Sequence, residues 1–186
     1  MSTLVRSALL SVPLWCAACG GGGAIEGSLS GTSFQMAGGF SVPVGDGAAS
    51  ALQLVFTDRG NLCAQGELDG ARAVVIQLAI VSPDGSGELA LVPGRYDISA
   101  RGASSAAAGQ KFALVGAFDF RNGCVTSGPL ALSGTVQIHH LELGADGLPS
   151  RLVGEMDAQF LAAEHLAGSF DVQACAQPRL HQTSCH

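Results

Sequence analysis

Three aspartates in the second half of the chain occupy equivalent places in a degenerate repeat. The repeat reads Leu-x-Gly-x-Φ-Asp-Φ, where Φ is apolar, and its aspartates are Asp119, Asp157 and Asp171. If these aspartates lie in register on neighbouring strands, they form an acidic stripe. Aligned like charges repel one another, and a bound cation or a basic partner would relieve that repulsion. The alternative, which we favour, is that these aspartates are solvated surface carboxylates. Such carboxylates keep a sheet soluble and discourage pairing between sheet edges.

Two adjacent histidines, His139 and His140, are the next group with ligand chemistry. A regular strand sends neighbouring side chains to opposite faces, which prevents both rings from binding one metal ion. The apolar positions switch from even to odd numbers just after Ile138. This switch predicts a β-bulge at the histidine pair and therefore a structural role.

Four cysteines lie beyond residue 20: Cys63, Cys124, Cys175 and Cys185. If the chain is exported, an even number of cysteines indicates disulfides, and four cysteines allow three pairings. We favour Cys63–Cys124 with Cys175–Cys185, because the second pair closes a short loop. These cysteines include no C-x₂-C pair of the kind that zinc sites use.

The chain ends in the pattern His181-x₃-Cys185-His186, which binds a transition metal only if Cys185 is reduced. We expect a disulfide-tied tail instead. Residues 84–88 lack the length and spacing of a calcium loop and predict a hairpin turn. The sequence contains no G-x-S-x-G, phosphate-binding glycine loop or H-E-x-x-H motif, so we assign no catalytic residue, no metal and no cofactor.

Strands must position these residues, because apolar side chains alternate with period two. Leu52, Leu54 and Phe56 share one face, with Gln53 and Thr57 on the other. Turn residues recur at short intervals, as at Asn122-Gly123. The pattern predicts an all-β fold, either an antiparallel β-sandwich or an up-and-down barrel-like meander of about eight strands.

The repeat makes a finer prediction. In each of four copies, starting at Leu114, Leu132, Leu152 and Leu166, counting by two puts the leucine, the glycine and both Φ residues on the buried face. Recurrent interior glycine predicts sheet bending or close approach of backbones. If residues 152–160 and 166–174 form a hairpin around residues 162–164, their apolar faces stay together only when the residue numbers of cross-strand partners have an even sum. The simplest partners are Met156 with Phe170, Gly154 with Val172, and Ala158 with Gly168.

The amino-terminal region carries an export signal. Arg6 precedes an apolar stretch over residues 8–18, and Cys19 then leads into four glycines at 20–23. The segment resembles the lipobox of bacterial lipoproteins, although Cys16 stands where an aliphatic residue is usual. The resemblance implies that Cys19 is the lipidated first residue of the mature chain. Gly20, which is not Asp, implies outer-membrane sorting. An ordinary secretory signal cleaved near Ala18 is the alternative.

Composition sets the remaining limits. The net charge is −6 and no basic patch is evident, which argues against nucleic acid as a partner.

We expect a signal peptide at 1–18, a lipidated cysteine with a glycine-rich tether at 19–26, a single β domain at 27–175 and a tail at 176–186.

These expectations favour a non-enzymatic, lipid-anchored envelope protein whose domain binds a partner or has a structural role. The membrane is its partner through the lipid anchor. The alternatives are a carrier of a small apolar ligand in a β-barrel cavity and, less favoured, a hydrolase whose residues meet only in three dimensions.

Overall fold

The computed structural model describes residues 22–44, 51–60, 63, 69–84, 89–101, 107–121, 124–175 and 183–184. The predicted signal peptide and Cys19 lie outside these residues. So do His181, Cys185 and His186, together with most of the turn expected at 84–88.

The described residues are all-β, as predicted, with one 3₁₀ turn at Leu161–Ala163. The strands are β1 (Gly22–Leu29), β2 (Thr32–Gln35), β3 (Gly38–Val44), β4 (Ala51–Thr57), β5 (Arg72–Ile80), β6 (Gly94–Ile98), β7 (Lys111–Arg121), β8 (Cys124–Leu130), β9 (Ser133–Leu143), β10 (Pro149–Gln159), β11 (His165–Gln173) and β12 (Thr183–Ser184). The expected count of about eight strands is too low. β2, β6 and β12 are only two to five residues long, too short for alternation to reveal them.

Hydrogen bonds join these strands into one mixed sheet that curls into a half-barrel. The order is β2-β1-β11-β10-β9-β6-β7-β5-β4-β3, with β8 on β7 and β12 on β8. The described pairs are antiparallel except β6–β7 and β8–β12. β2 and β3, at the two ends of this order, are joined only by Met36 and Ala37, whose N–H groups donate to the carbonyls of Ile25 and Thr57 at 2.8 Å.

The concave face of the sheet encloses one apolar core. Leu52, Leu54 and Phe56 of β4 point into it, as the alternation predicted, and all three are buried. Among the described residues, Tyr96 is the largest fully buried side chain, and its hydroxyl donates to the carbonyl of Val92 at 2.7 Å. Side chains from most of the strands thus occupy the interior.

The predicted β10–β11 hairpin forms, and its partners have even sums. The pairs are Gly154 with Phe170, Met156 with Gly168, and Leu152 with Val172. The specific partners that we predicted are wrong by a shift of two residues. Such a shift keeps every side chain on its expected face, so the alternation cannot detect it.

Two repeat glycines confirm the predicted close approach of backbones. Gly134 has φ +131° and Gly168 has φ +146°. A Cβ at Gly168 would lie 1.8 Å from the carbonyl oxygen of Ala24 on β1, and one at Gly134 would lie 2.0 Å from that of Asp157. No larger residue fits at either position without moving the neighbouring strand.

The face assignment is wrong for the repeat copy that begins at Leu114. On β7 the core takes the odd-numbered residues Ala113, Val115 and Ala117. Apolar residues occupy both faces of β7, because Phe112 and Phe120 on its convex side pack in two further apolar clusters. Alternation therefore does not identify the inner face of this strand. The other three copies place their Φ residues in the core, but Leu132, the leucine of the second copy, is exposed, so the prediction is wrong for that residue.

The predicted bulge lies at the histidine pair. His140 pairs with Val153, while Ile138 pairs with the next residue of β10, Gly154. His139 is therefore the extra residue that shifts the inward-facing positions from even to odd numbers.

Two predicted segment boundaries need correction. Residues 22–26, expected in a flexible tether, belong to β1 and pair with β11 from Asp171 back to Ala167. Pairing with β11 gives the backbone N–H and C=O groups of these residues hydrogen-bond partners. The glycine-rich sequence alone does not reveal this pairing. In the expected tail, Thr183 and Ser184 pair with β8.

The favoured disulfide pairing is wrong, because Cys63 is bonded to Cys175. The backbone N–H of Cys175 donates to Ser41 on β3 at 2.9 Å. This contact and the parallel bridge between Ser41 and Ala174 place the end of β11 alongside β3. Cys175 thereby joins the outer apolar cluster that contains Cys63, Phe40 and Val55. The short loop between Cys175 and Cys185, on which the predicted pairing relied, gives no information about this long-range contact. Cys124 is also disulfide-bonded, and its partner lies outside the described residues.

Candidate functional site

A cleft of about 420 Å³ opens where β1 turns into β2. Four separate parts of the chain form its walls. They are the β1–β2 turn with Leu29, Ser30 and Thr32; the start of β5 with Arg72 and Ala73; the end of β7 with Ala117, Phe118, Asp119 and Arg121; and Gly128 and Pro129 of β8.

The charged residues of this cleft continue the inner faces of β5 and β7 beyond the core. Val74 pairs with Ala117, and both belong to the core. Two residues further along the same face, Arg72 pairs with Asp119. The core therefore ends at an open, charged rim, while the buried Leu29 and Ala117 form apolar walls.

Arg72 is held in place by several hydrogen bonds. Its Nε donates to Asp58 Oδ2 at 2.9 Å, and its two terminal nitrogens donate to Thr32 Oγ1 and the Ser33 carbonyl at 2.6 Å. Its guanidinium carbon lies 5.9 Å from the centre of the Phe34 ring. Arg72 thus fixes the distance between β2 and β5 and gives the cleft a rigid wall.

Arg121 and Asp119 form a looser pair on β7, the strand next to the one that carries Arg72. The guanidinium nitrogen NH2 of Arg121 lies 3.9 Å from Asp119 Oδ2, and the side chains are 77% and 41% exposed. An exposed pair at this distance contributes little to stability, so both groups can interact with a ligand.

The three repeat aspartates do not form an acidic stripe. Asp119 lies in the cleft, whereas Asp157 and Asp171 lie on the outer face of β10 and β11. Each is near a different basic side chain: Asp119 near Arg121, Asp157 near His165 and Asp171 near Arg151. This arrangement agrees with the solvated-carboxylate interpretation.

Asp171 and Arg151 make the strongest of these pairs. Two guanidinium nitrogens of Arg151 donate to the Asp171 carboxylate at 2.9 and 2.7 Å. These hydrogen bonds, with the positive charge, lower the pKa of Asp171 against the opposing effect of burial. Glu142 also lies 3.3 Å from Arg151 and makes the group a three-residue network.

The histidine pair remains on the exposed convex surface. His139 Nε2 lies 3.7 Å from Glu155, and His140 Nε2 lies 3.1 Å from Glu142. The two rings therefore lie beside different carboxylates. Across the described ranges, no three His, Cys, Asp or Glu side chains are grouped so as to hold a metal ion. Nor does any described helix have the length and apolar character needed to cross a membrane.

Comparisons with protein-family models, curated proteins and solved structures give no match to this chain. Its own residues must therefore carry any functional argument.

Sequence reasoning missed Arg72 and Arg121, because the cleft joins segments that are far apart in the chain. The one local sign was the spacing of Asp119 and Arg121. Residues two apart in a strand share a face, which places this pair side by side.

Proposed function

We propose that this chain is a non-enzymatic, lipid-anchored protein of the bacterial outer membrane, with a disulfide-braced β domain that serves as a binding or structural module. The observation that carries the proposal is the state of the described cysteines. Cys63, Cys124 and Cys175 are all disulfide-bonded, and such bonds persist in oxidising compartments outside the cytoplasm. Export agrees with the apolar segment and small residues that precede Cys19.

The start of β1 supports a short connection to the lipid. Only Gly20 and Gly21 separate Cys19 from Gly22, the first residue of β1. Three residue steps span at most about 10 Å, so a lipid on Cys19 holds the domain directly against the bilayer.

We infer that the partner of Cys124 in the second disulfide is Cys185. The parallel pairing of Thr183 with Cys124 and of Ser184 with Val125 supports this assignment, because Cys185 is the next residue. A bond there would fasten the carboxyl end of the chain to β8.

Of the two finer folds predicted from the sequence, we favour the barrel-like meander over the β-sandwich, with the two ends of the curled sheet brought towards each other. The covalent continuity of β2 and β3, at opposite ends of the strand order, supports closure. So does the bridge between Ser41 and Ala174, which joins β3 to the end of β11.

Mass spectrometry of the intact protein, extracted from membranes, tests the anchor. We expect a chain that begins at Cys19 and carries a diacylglycerol and an N-linked acyl chain. Cys19→Ser should abolish this mass, whereas the control Cys16→Leu should retain it. Peptide mapping without reduction should recover Cys63–Cys175 and Cys124–Cys185. A soluble chain with residues 1–18 still attached and its thiols free would contradict the proposal.

A small-ligand binder is the second candidate function, and the cleft of about 420 Å³ favours it. Its volume is typical of ligand sites, which often occur at the mouths of small barrels. The cleft is open and partly charged, whereas an apolar carrier needs an enclosed cavity. The interior holds Tyr96, Phe34 and Phe170, which supports binding at the rim.

A further inference from the structure

We propose that the cleft binds the head group of an α-amino acid with an apolar side chain, with Arg121 contacting the carboxylate and Asp119 the ammonium. This inference rests on the ligand-binding candidate and is independent of the lipid anchor.

The first argument is the balance of charge in the cleft. The charge of Arg72 is already matched by Asp58 at 2.9 Å, which leaves Arg121 and Asp119 as the two weakly engaged charges. A ligand with only a carboxylate would face repulsion from Asp119, and one with only an ammonium would face repulsion from Arg121. A zwitterion gives each group an opposite charge.

The second argument is spacing. The charged atoms of Arg121 and Asp119 are 3.9 Å apart. An α-amino acid carries its ammonium and carboxylate on one carbon atom, so both can meet such a closely spaced pair. In a dipeptide the charges are separated by a further residue, about 3.8 Å longer. The site therefore matches a single amino acid.

The third argument is the apolar part of the wall. Leu29 and Ala117 are buried at the edge of the core, and Phe118 and Pro129 also line the cleft. An aliphatic side chain placed there removes apolar surface from water, which favours binding. Arg72 keeps this wall in position, because its hydrogen bonds to β2 and to Asp58 form without a ligand.

Saturation-transfer NMR on the full-length protein in detergent micelles tests the proposal with four probes. L-leucine carries both charges, 4-methylpentanoate lacks the ammonium, isoamylamine lacks the carboxylate, and leucyl-leucine separates the charges. We expect leucine to bind most tightly. Arg121→Gln and Asp119→Asn should each weaken leucine binding at least about tenfold, because each removes a charge-assisted contact. Arg121→Lys should restore part of it.

The matched control is the pair of Arg95 and Asp97 on β6. It has the same two-residue spacing and is likewise exposed, with a 2.9 Å contact, but lies outside the cleft. Arg95→Gln should leave leucine binding unchanged. Equal weakening by Arg95→Gln and Arg121→Gln would overturn the site.

The remaining outcomes separate the two proposals. If 4-methylpentanoate or isoamylamine bound as well as leucine with the same dependence on Arg121, the cleft would remain a ligand site but the amino-acid head group would be wrong. Tighter binding of leucyl-leucine would also overturn the single-residue assignment. No transfer to any of the four probes would overturn both ideas.

Discussion

The backbone contact at Gly168 gives the sharpest test of the fold. A Cβ there would lie 1.8 Å from the Ala24 carbonyl oxygen, at a φ of +146° that side-chain-bearing residues rarely adopt. The backbone strain alone costs about 1–3 kcal/mol. The clash must also push β1 from β11, and each ladder hydrogen bond that is lost costs about 1 kcal/mol. We expect Gly168→Ala to lower the free energy of unfolding by about 3–5 kcal/mol.

Gly116 provides the matched control, since it occupies the same place in another copy of the repeat. A Cβ there would meet the tip of the Leu130 side chain at 3.1 Å and that of Phe118 at 3.2 Å, both of which can rotate away. We expect Gly116→Ala to change the free energy of unfolding by less than about 1 kcal/mol, because the roughly 0.5–1 kcal/mol by which alanine is favoured over glycine inside a strand offsets the small side-chain shift. Urea denaturation followed by far-ultraviolet circular dichroism measures both variants. Equal stability of the two proteins would refute the role assigned to the strand contact.

Three further predictions concern other parts of the molecule. Replacing both Cys63 and Cys175 by Ser should lower the unfolding free energy by about 2–5 kcal/mol in urea denaturation, because the bond closes a loop with a sequence separation of 112. Carbon-detected NMR should place the pKa of Asp171 below its ordinary range, and Arg151→Gln should return it there. That pair stabilises the fold above the unfolded-state pKa of Asp171, and the contribution is lost as the pH falls through its lowered folded-state value. Burial raises the pKa of Tyr96, the one tyrosine of the chain, so the tyrosinate absorbance of the native protein should rise only above pH 10. The stability that comes from burying the neutral phenol is fully present below pH 10. It declines as the pH rises through the raised folded-state pKa.

The alternation of apolar and polar residues predicted where strands form better than it predicted which residues pair across strands. It identified the inner face of β4 and β10 and the bulge at His139, because each depends on local patterning. It could not fix the β10–β11 register, since a two-residue slip leaves every face unchanged. On β7 it chose the wrong face, because apolar residues lie on both sides of that strand.

The cleft and the disulfide depend on contacts between distant segments. Arg72 meets Thr32 only because β2 lies across from the start of β5 once the sheet curls. Cys175 meets Cys63 because the end of β11 lies alongside β3. Nothing in the local sequence encodes either meeting.

The ladder between the first and last long strands has a consequence for how the protein is made. Gly22 pairs with Asp171, so the sheet cannot be completed until nearly the whole polypeptide has been synthesised. Chains dominated by such distant pairings fold slowly, often over milliseconds to seconds. A nascent chain of this kind stays loosely structured until its final strand arrives, a state that would suit the export proposed above.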